Sequence, residues 1–299
     1  MSSGGDIQCG VRTMKAVAAA RIGQYDESVR ALGDYYRTIE LGLSACFREH
    51  QPAASRTASP RKSDTGAIGA IVFGSDQGLV GRFNDVVADC AIKTLAGLPG
   101  TPKVWAVGER VHARLSEAGL PLAGLFIVPT SVHAIAPLVG QIQIDSEADR
   151  AAGEYARVYV FHNRPKAGAL YEPVSQRLLP LDAAWQEGLA KVPWPTRSLP
   201  DVMGHRTETL RALMREYVFI SLFRACAESL ASENASRLAA MQRADKNIDD
   251  LLETLPGTFH RLRQAAVDEE LFDVIAGYES RRPTPRTPPA DAQRQASAR

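Results

Sequence analysis

The chain has 299 residues, enough for one large domain or two small ones. Apolar residues make up 45% and charged residues 23%, an ordinary globular balance, and a formal net charge of +1 argues against a protein built around nucleic acid. No window approaches the ~18 uninterrupted apolar residues of a membrane span, and the opening MSSGGDIQCG lacks the apolar core of a signal peptide. Membrane association is therefore expected only through partners.

Residues 11–47 read as one long helix. Ala18, Ile22, Tyr25, Val29, Leu32, Tyr36, Ile39 and Leu43 recur at alternating steps of four and three, a heptad seam that keeps one apolar edge on a partner helix. The segment 51–65 is a polar, Pro- and Ser-rich loop, expected to be solvated.

From 66 to 180 the character changes. The β-branched runs 66–73, 103–108, 124–129 and 155–162 read as buried strands. Helices are expected near 83–97, 109–118 and 132–142, and 171–180 adds a last strand beside 155–162. This alternation predicts an α/β layered domain over 66–182. Residues 186–204, with PWPTRSLP, read as an irregular connection.

From 207 to 277 the pattern is helical again. YVFISLF (217–223) is apolar nearly all round and predicts burial on several sides. Ile248, Leu252, Leu255, Phe259, Leu262 and Ala266 then repeat the four-three step. Such a helix spans roughly 100 Å at about 1.5 Å per residue, longer than a compact domain needs. The fold class expected is α/β: a long antiparallel coiled coil of shaft segments 11–50 and 207–278, with a Rossmann-like domain between them. Residues 281–299 are rich in Pro, Arg and Ala and predict a disordered basic tail.

Candidate chemistry is sparse. Cys9, Cys46, Cys90 and Cys226 are scattered, without a CxxC pair, and read as reduced thiols of a cytoplasmic protein. His50, His112, His133, His162, His205 and His260 show neither metal-ligand spacing nor a triad, and read as surface or half-buried. The loop GSDQGLVG (74–81) lies between a strand and a helix, where a phosphate loop would sit. It matches neither nucleotide fingerprint, and Asp76 puts a negative charge there, so it reads as a tight structural turn. Glu228, Glu233, Arg237, Lys246, Asp249 and Asp250 read as the solvated face of the last helix. No catalytic residue, cofactor site or metal site is assigned.

Three stretches together resemble the gamma subunit of F-type ATP synthases: TMKAVAAARI (13–22), GSDQGLVGRFND (74–85), and the run 216–252 with 263–277. The resemblance covers about residues 7–278. PWPTRSLP and the short N-terminus are similar to gamma subunits of the alternative, sodium-linked bacterial ATPases. The resemblance implies a non-catalytic rotor shaft. It would stand in a hexamer of alternating alpha and beta subunits, join an epsilon subunit, and rest on the membrane c-ring at the cytoplasmic face of the inner membrane. Neither nucleic acid nor a cofactor is implied.

Carried over by matched position, Met14, Arg263, Gln264 and Asp268 are the hexamer contacts, and Tyr171 and Glu172 the ring-facing foot. Both foot residues are then expected to be substantially exposed. Asp268 stands where the family usually has Thr, the basic turns before TMKAVAAA are absent, and Pro256-Gly257 interrupts the shaft helix. The unbroken seam across that break predicts a local bend near 253–258 rather than termination, with Phe259 and Leu262 packed against Met14 to Ile22. Two other readings stay open on the residues alone. One is a Rossmann-like nucleotide-binding protein with dimerisation arms, and the other an unrelated coiled-coil scaffold.

Overall fold

The computed structural model describes residues 2–48, 67–151, 157–180, 183–198 and 205–281. The loop 51–65 and the tail from 282 onward lie outside them, as does the 199–204 part of the connection. Within the described residues the chain forms two units, one ending at Asp245 and one beginning at Lys246.

In the first unit, helix α1 (Ser2–Arg48) precedes β1 (Ile68–Phe73), α2 (Phe83–Ala96), β2 (Pro102–Val107), α3 (Glu109–Glu117) and β3 (Leu122–Phe126). Then come α4 (Ile135–Ala151), β4 (Arg157–Lys166), β5 (Ala169–Leu179), α5 (Ala183–Lys191) and α6 (Arg206–Ser280), whose last part belongs to the second unit. The sheet order is β3-β2-β1-β4-β5; the first four strands are parallel and β5 runs antiparallel to β4. Two expectations change. Helix α1 begins well before residue 11, and α5 takes the start of the 186–204 segment read as irregular.

Both faces of the sheet are covered, which is why β1 is buried at every position. On one face Ile68, Ala70 and Val72 pack with Val87, Ala88 and Ala91 of α2 and with Val111 and Leu115 of α3. On the other, Ile71 and Phe73 pack with Ile135 and Val139 of α4, Tyr25 of α1, and Leu222, Cys226 and Leu230 of α6. The period-two alternation of a strand sends alternate side chains into these two cores. A third cluster joins Ile39 and Leu43 of α1, Leu189 of α5, and Tyr217 and Ile220 of α6. The all-round apolar run 217–223 is thus divided between two cores, as its composition predicts.

None of the eight seam positions of α1 is exposed, and Ala18, Tyr25, Ile39 and Leu43 are fully buried. The pairing with the near part of α6 is antiparallel. Lys15 Nζ donates to Asp245 at 2.8 Å, Tyr35 Oη to Glu216 at 2.9 Å, and Tyr36 meets Tyr217 with ring centroids 6.1 Å apart.

The second unit is helical from Lys246 to Ser280. Pro256 has no N–H for the carbonyl of Leu252, yet the helix continues through it. Every residue from 253 to 281 is exposed, so water can take the freed carbonyl. Phe259 and Leu262 are 62% and 64% exposed, contrary to the expectation that they pack beside Met14 to Ile22. The four-three step marks one apolar face of a helix without specifying what covers it.

A Cβ on Gly257 would meet nothing within 4 Å. Replacing Pro256-Gly257 by Ala-Ala is therefore expected to stabilise this stretch of helix by about 3–4 kcal/mol, the summed helix penalties of the two residues. Hydrogen exchange of 246–280 should slow. Faster exchange would contradict a continuous helix.

Candidate functional surfaces and the crevice at the sheet edge

The strand order reverses between β1 and β4, and in doubly wound sheets ligands bind outside the carboxyl ends of the strands at that point. The glycine-rich loop starts there. Gly74 accepts no side chain, because a Cβ would stand 2.4 Å from Val111 Cβ and 2.7 Å from Asn84 Oδ1. Asn84 closes the turn: its Oδ1 accepts from Ser75 N at 2.9 Å and its Nδ2 donates to Ser75 Oγ at 2.8 Å. Asp76 Oδ1 accepts from the N–H of Glu109, the first residue of α3, at 3.0 Å. Its Oδ2 accepts from Val128 N at 2.9 Å. A helix N-terminus favours a carboxylate for the reason it favours a phosphate. Here the loop's own carboxylate takes that place, so the motif is a structural turn.

Helix α6 crosses the crevice. Ser236 Oγ donates to Val80 O, at the far end of the loop, at 2.5 Å. Ser232 Oγ donates to Asn163 O at 3.0 Å, and Asn163 Nδ2 donates to Phe83 O at 2.9 Å. Glu228 accepts from both His162 Nε2 at 2.8 Å and Arg224 Nε at 2.7 Å. Burial pushes the Glu228 carboxyl up, but the hydrogen bonds from His162 and Arg224 outweigh it and leave the group below the usual carboxylate range. With Glu228 ionised, Nε2 of His162 carries the proton.

These contacts correct two expectations. His162 is fully buried rather than at the surface or half-buried, and Glu228 and Glu233 are buried rather than on a solvated face. Glu233 pairs with Arg237 at 2.7 Å, while burial pushes its carboxyl up. Lys246, Asp249 and Asp250 are exposed, as their composition predicts. Charge pattern on one helix cannot reveal a partner on a strand 66 positions away. The signal available was the run ACAESLASENAS (225–236), whose small residues let the helix backbone approach the sheet closely.

Tyr171 and Glu172 sit on β5, the last strand of the sheet, and both are half-buried rather than substantially exposed. The Tyr171 ring packs edge-on against Phe83, with centroids 5.4 Å apart. Glu172 is held between Arg164 at 2.6 Å and Lys166 at 2.7 Å, and those two hydrogen bonds pull its carboxyl down to about 2. The hairpin thus presents a surplus of positive charge. In the first unit, Met14 is 48% exposed on α1. In the second, Arg263, Gln264 and Asp268 are exposed on α6, among exposed Leu255, Phe259, Leu262, Leu271 and Phe272.

Among the described residues no cluster of His, Cys, Asp or Glu could hold a metal ion, and no helix is long and apolar enough to cross a membrane. Changing Asp76 to Ala would strand two backbone donors. It is expected to destabilise the fold by about 1–3 kcal/mol, measured by chemical denaturation, without creating affinity for ATP. A phosphate loop would respond oppositely, binding nucleotide more tightly once the negative charge is gone.

Residues 1–280 match the family model ATP-synt, described as ATP synthase. The chain is 28% identical to the ATP synthase gamma chain of Nostoc punctiforme over 300 residues, covering 89% of this chain and 92% of that one. Against the ATP synthase gamma chain of Lachnoclostridium phytofermentans it is 28% identical, with 89% and 91% covered. In fold it is similar to a chain from the Tetrahymena thermophila mitochondrial ATP synthase central stalk and c-ring structure. That match has a TM-score of 0.54 at 21% identity and covers 78% of this chain and 98% of that one. A chain from the Euglena gracilis mitochondrial ATP synthase rotor gives a TM-score of 0.57 at 15% identity, with 89% and 95% covered. With matched sequence over nearly its whole length and two long helices around a mostly parallel sheet, the chain belongs to the ATP synthase gamma-chain family, the non-catalytic rotor shaft of that complex.

Proposed function

We propose that this chain turns inside a hexamer of alpha and beta subunits, with its hairpin foot on a membrane c-ring and an epsilon subunit beside it, at the cytoplasmic face of the inner membrane. Rotation of the ring, driven by ion flow, would be carried along α6 and would press three catalytic sites through different conformations in turn. The shaft then acts by differential contact energy, because a contact made better in one beta-subunit state favours that state. The chemistry belongs to the surrounding subunits.

One observation carries this reading. In the second unit Leu255, Phe259, Leu262, Val267, Leu271, Phe272 and Val274 are all more than half exposed on one helix. Apolar side chains in such number on one helix mark an interaction surface. Arg263, Gln264 and Asp268 stand among them and would supply the polar grip on beta subunits, with Met14 on the opposite helix. The cationic hairpin of Arg164 and Lys166 around Glu172 fits the polar loops of a ring.

The test is reconstitution with alpha, beta, epsilon and the ring in vesicles. ATP hydrolysis should drive ion pumping only when this chain is present. Arg263 to Ala should lower pumping and hydrolysis together by about tenfold, the loss expected for one charge-assisted interface contact. Full pumping by a complex lacking this chain would refute the assignment.

A further inference from the structure

We propose that Glu228, Ser232 and Ser236 of α6, with His162 and Asn163 of β4, form a register lock that prevents the shaft helix from slipping on the sheet under torque. The inference rests on the rotor-shaft reading above. His162 and Glu228 are positioning residues in it.

The three α6 residues are spaced by four, so they form one stripe along the helix. Each engages a different point of the sheet edge: His162 on β4, the carbonyl of Asn163 beside it, and the carbonyl of Val80 in the loop after β1. An axial shift or a roll of α6 breaks all three contacts together. Ala225, Ala227 and Ala231 beside them present small side chains, and hydrophobic burial is non-directional, so the hydrogen bonds add a positional constraint to the packing of Leu222 and Leu230.

Stability alone does not account for the buried hydrogen-bonded pair. Replacing buried polar partners together by apolar residues of similar shape can be nearly neutral or stabilising, whereas fixing register is the best-attested use of such groups. The placement supplies the mechanical reason. His162 and Asn163 directly precede Arg164 on β4, and that strand leads into the hairpin bearing Tyr171 and Glu172. Force entering at the hairpin therefore has a short path to α6 through these residues. A cavity of about 90 Å³ lined by Tyr36, Gln176, Ser221 and Arg224 borders the pair and leaves room for replacement side chains.

The experiment uses the full chain in the reconstituted complex, with His162 to Leu and Glu228 to Met combined, and separately Ser232 to Ala with Ser236 to Ala. Hydrolysis rate, ions pumped per ATP, and the melting temperature of the isolated chain are recorded. The expected result is an unchanged or raised melting temperature for the apolar pair, hydrolysis retained, and pumping per ATP reduced, by up to about fivefold. That limit is the change one lost hydrogen bond of ordinary strength makes in the ratio of held to slipped registers. The serine pair should lower the same ratio, and it decides the matter if the apolar pair does not assemble. Wild-type pumping per ATP in both variants overturns the lock. So does a parallel loss of melting temperature, hydrolysis and pumping, which would mean a purely structural role. Failure of the wild-type complex to pump would instead remove the shaft reading on which the lock depends.

Discussion

Helix α6 lies across the carboxyl edge of the sheet at the point where strand order reverses, and hydrogen bonds to Val80, His162 and Asn163 hold it there. Much else follows from that placement. In an enzyme of this architecture the crevice would be open to a ligand. Here a serine hydroxyl and an asparagine amide occupy its backbone acceptors, and Asp76 caps α3 from the loop. The same fold that elsewhere cradles a nucleotide here holds a helix, and the sheet serves as its mount.

The mount is rigid because each apolar set has a single destination. Alternate residues of β1 and β4 point to opposite faces, and each face has its own helices. The four-three seam of α1 supplies one side of the packing, with Tyr25 reaching the sheet core and Ile39 and Leu43 reaching α5 and α6. Gly108 allows the close approach that joins β2 to α3: its φ is 115°, and a Cβ there would stand 2.8 Å from the backbone of Ser75. Ser75 in turn presents its carbonyl to Arg110 N, so turn and helix start are built as one piece.

Polarity along α6 is inverted relative to an ordinary surface helix. Glu228, Ser229, Ser232, Glu233 and Ser236 are buried in the first unit, while Leu255, Phe259, Leu262 and Phe272 are exposed in the second. Buried polar groups are costly without partners, and Glu228, Ser232, Glu233 and Ser236 each have one. Exposed apolar groups in such number are the mark of an interaction surface, which is why the proposed function places the hexamer contacts there.

Most of the architecture was legible in the residues. Strand and helix periods depend on neighbours within a few positions, so the strands near 66–73 and 155–162, the helices between them and the α1 seam could all be read locally. So could the structural character of the glycine-rich loop, because Asp76 repels phosphate wherever the loop goes. What the sequence could not decide was which polar residues leave water. Glu228 and Glu233 belong to the same charged pattern as Asp249 and Asp250, yet only the first two are buried. Nor could it show that Phe259 is exposed, since the seam repeats without change across Pro256. Periodicity reports that one face of a helix is apolar. Only the tertiary structure, which pairs Lys15 with Asp245 and Glu228 with His162 while Phe259 stays 62% exposed, decides which positions along such a face leave water.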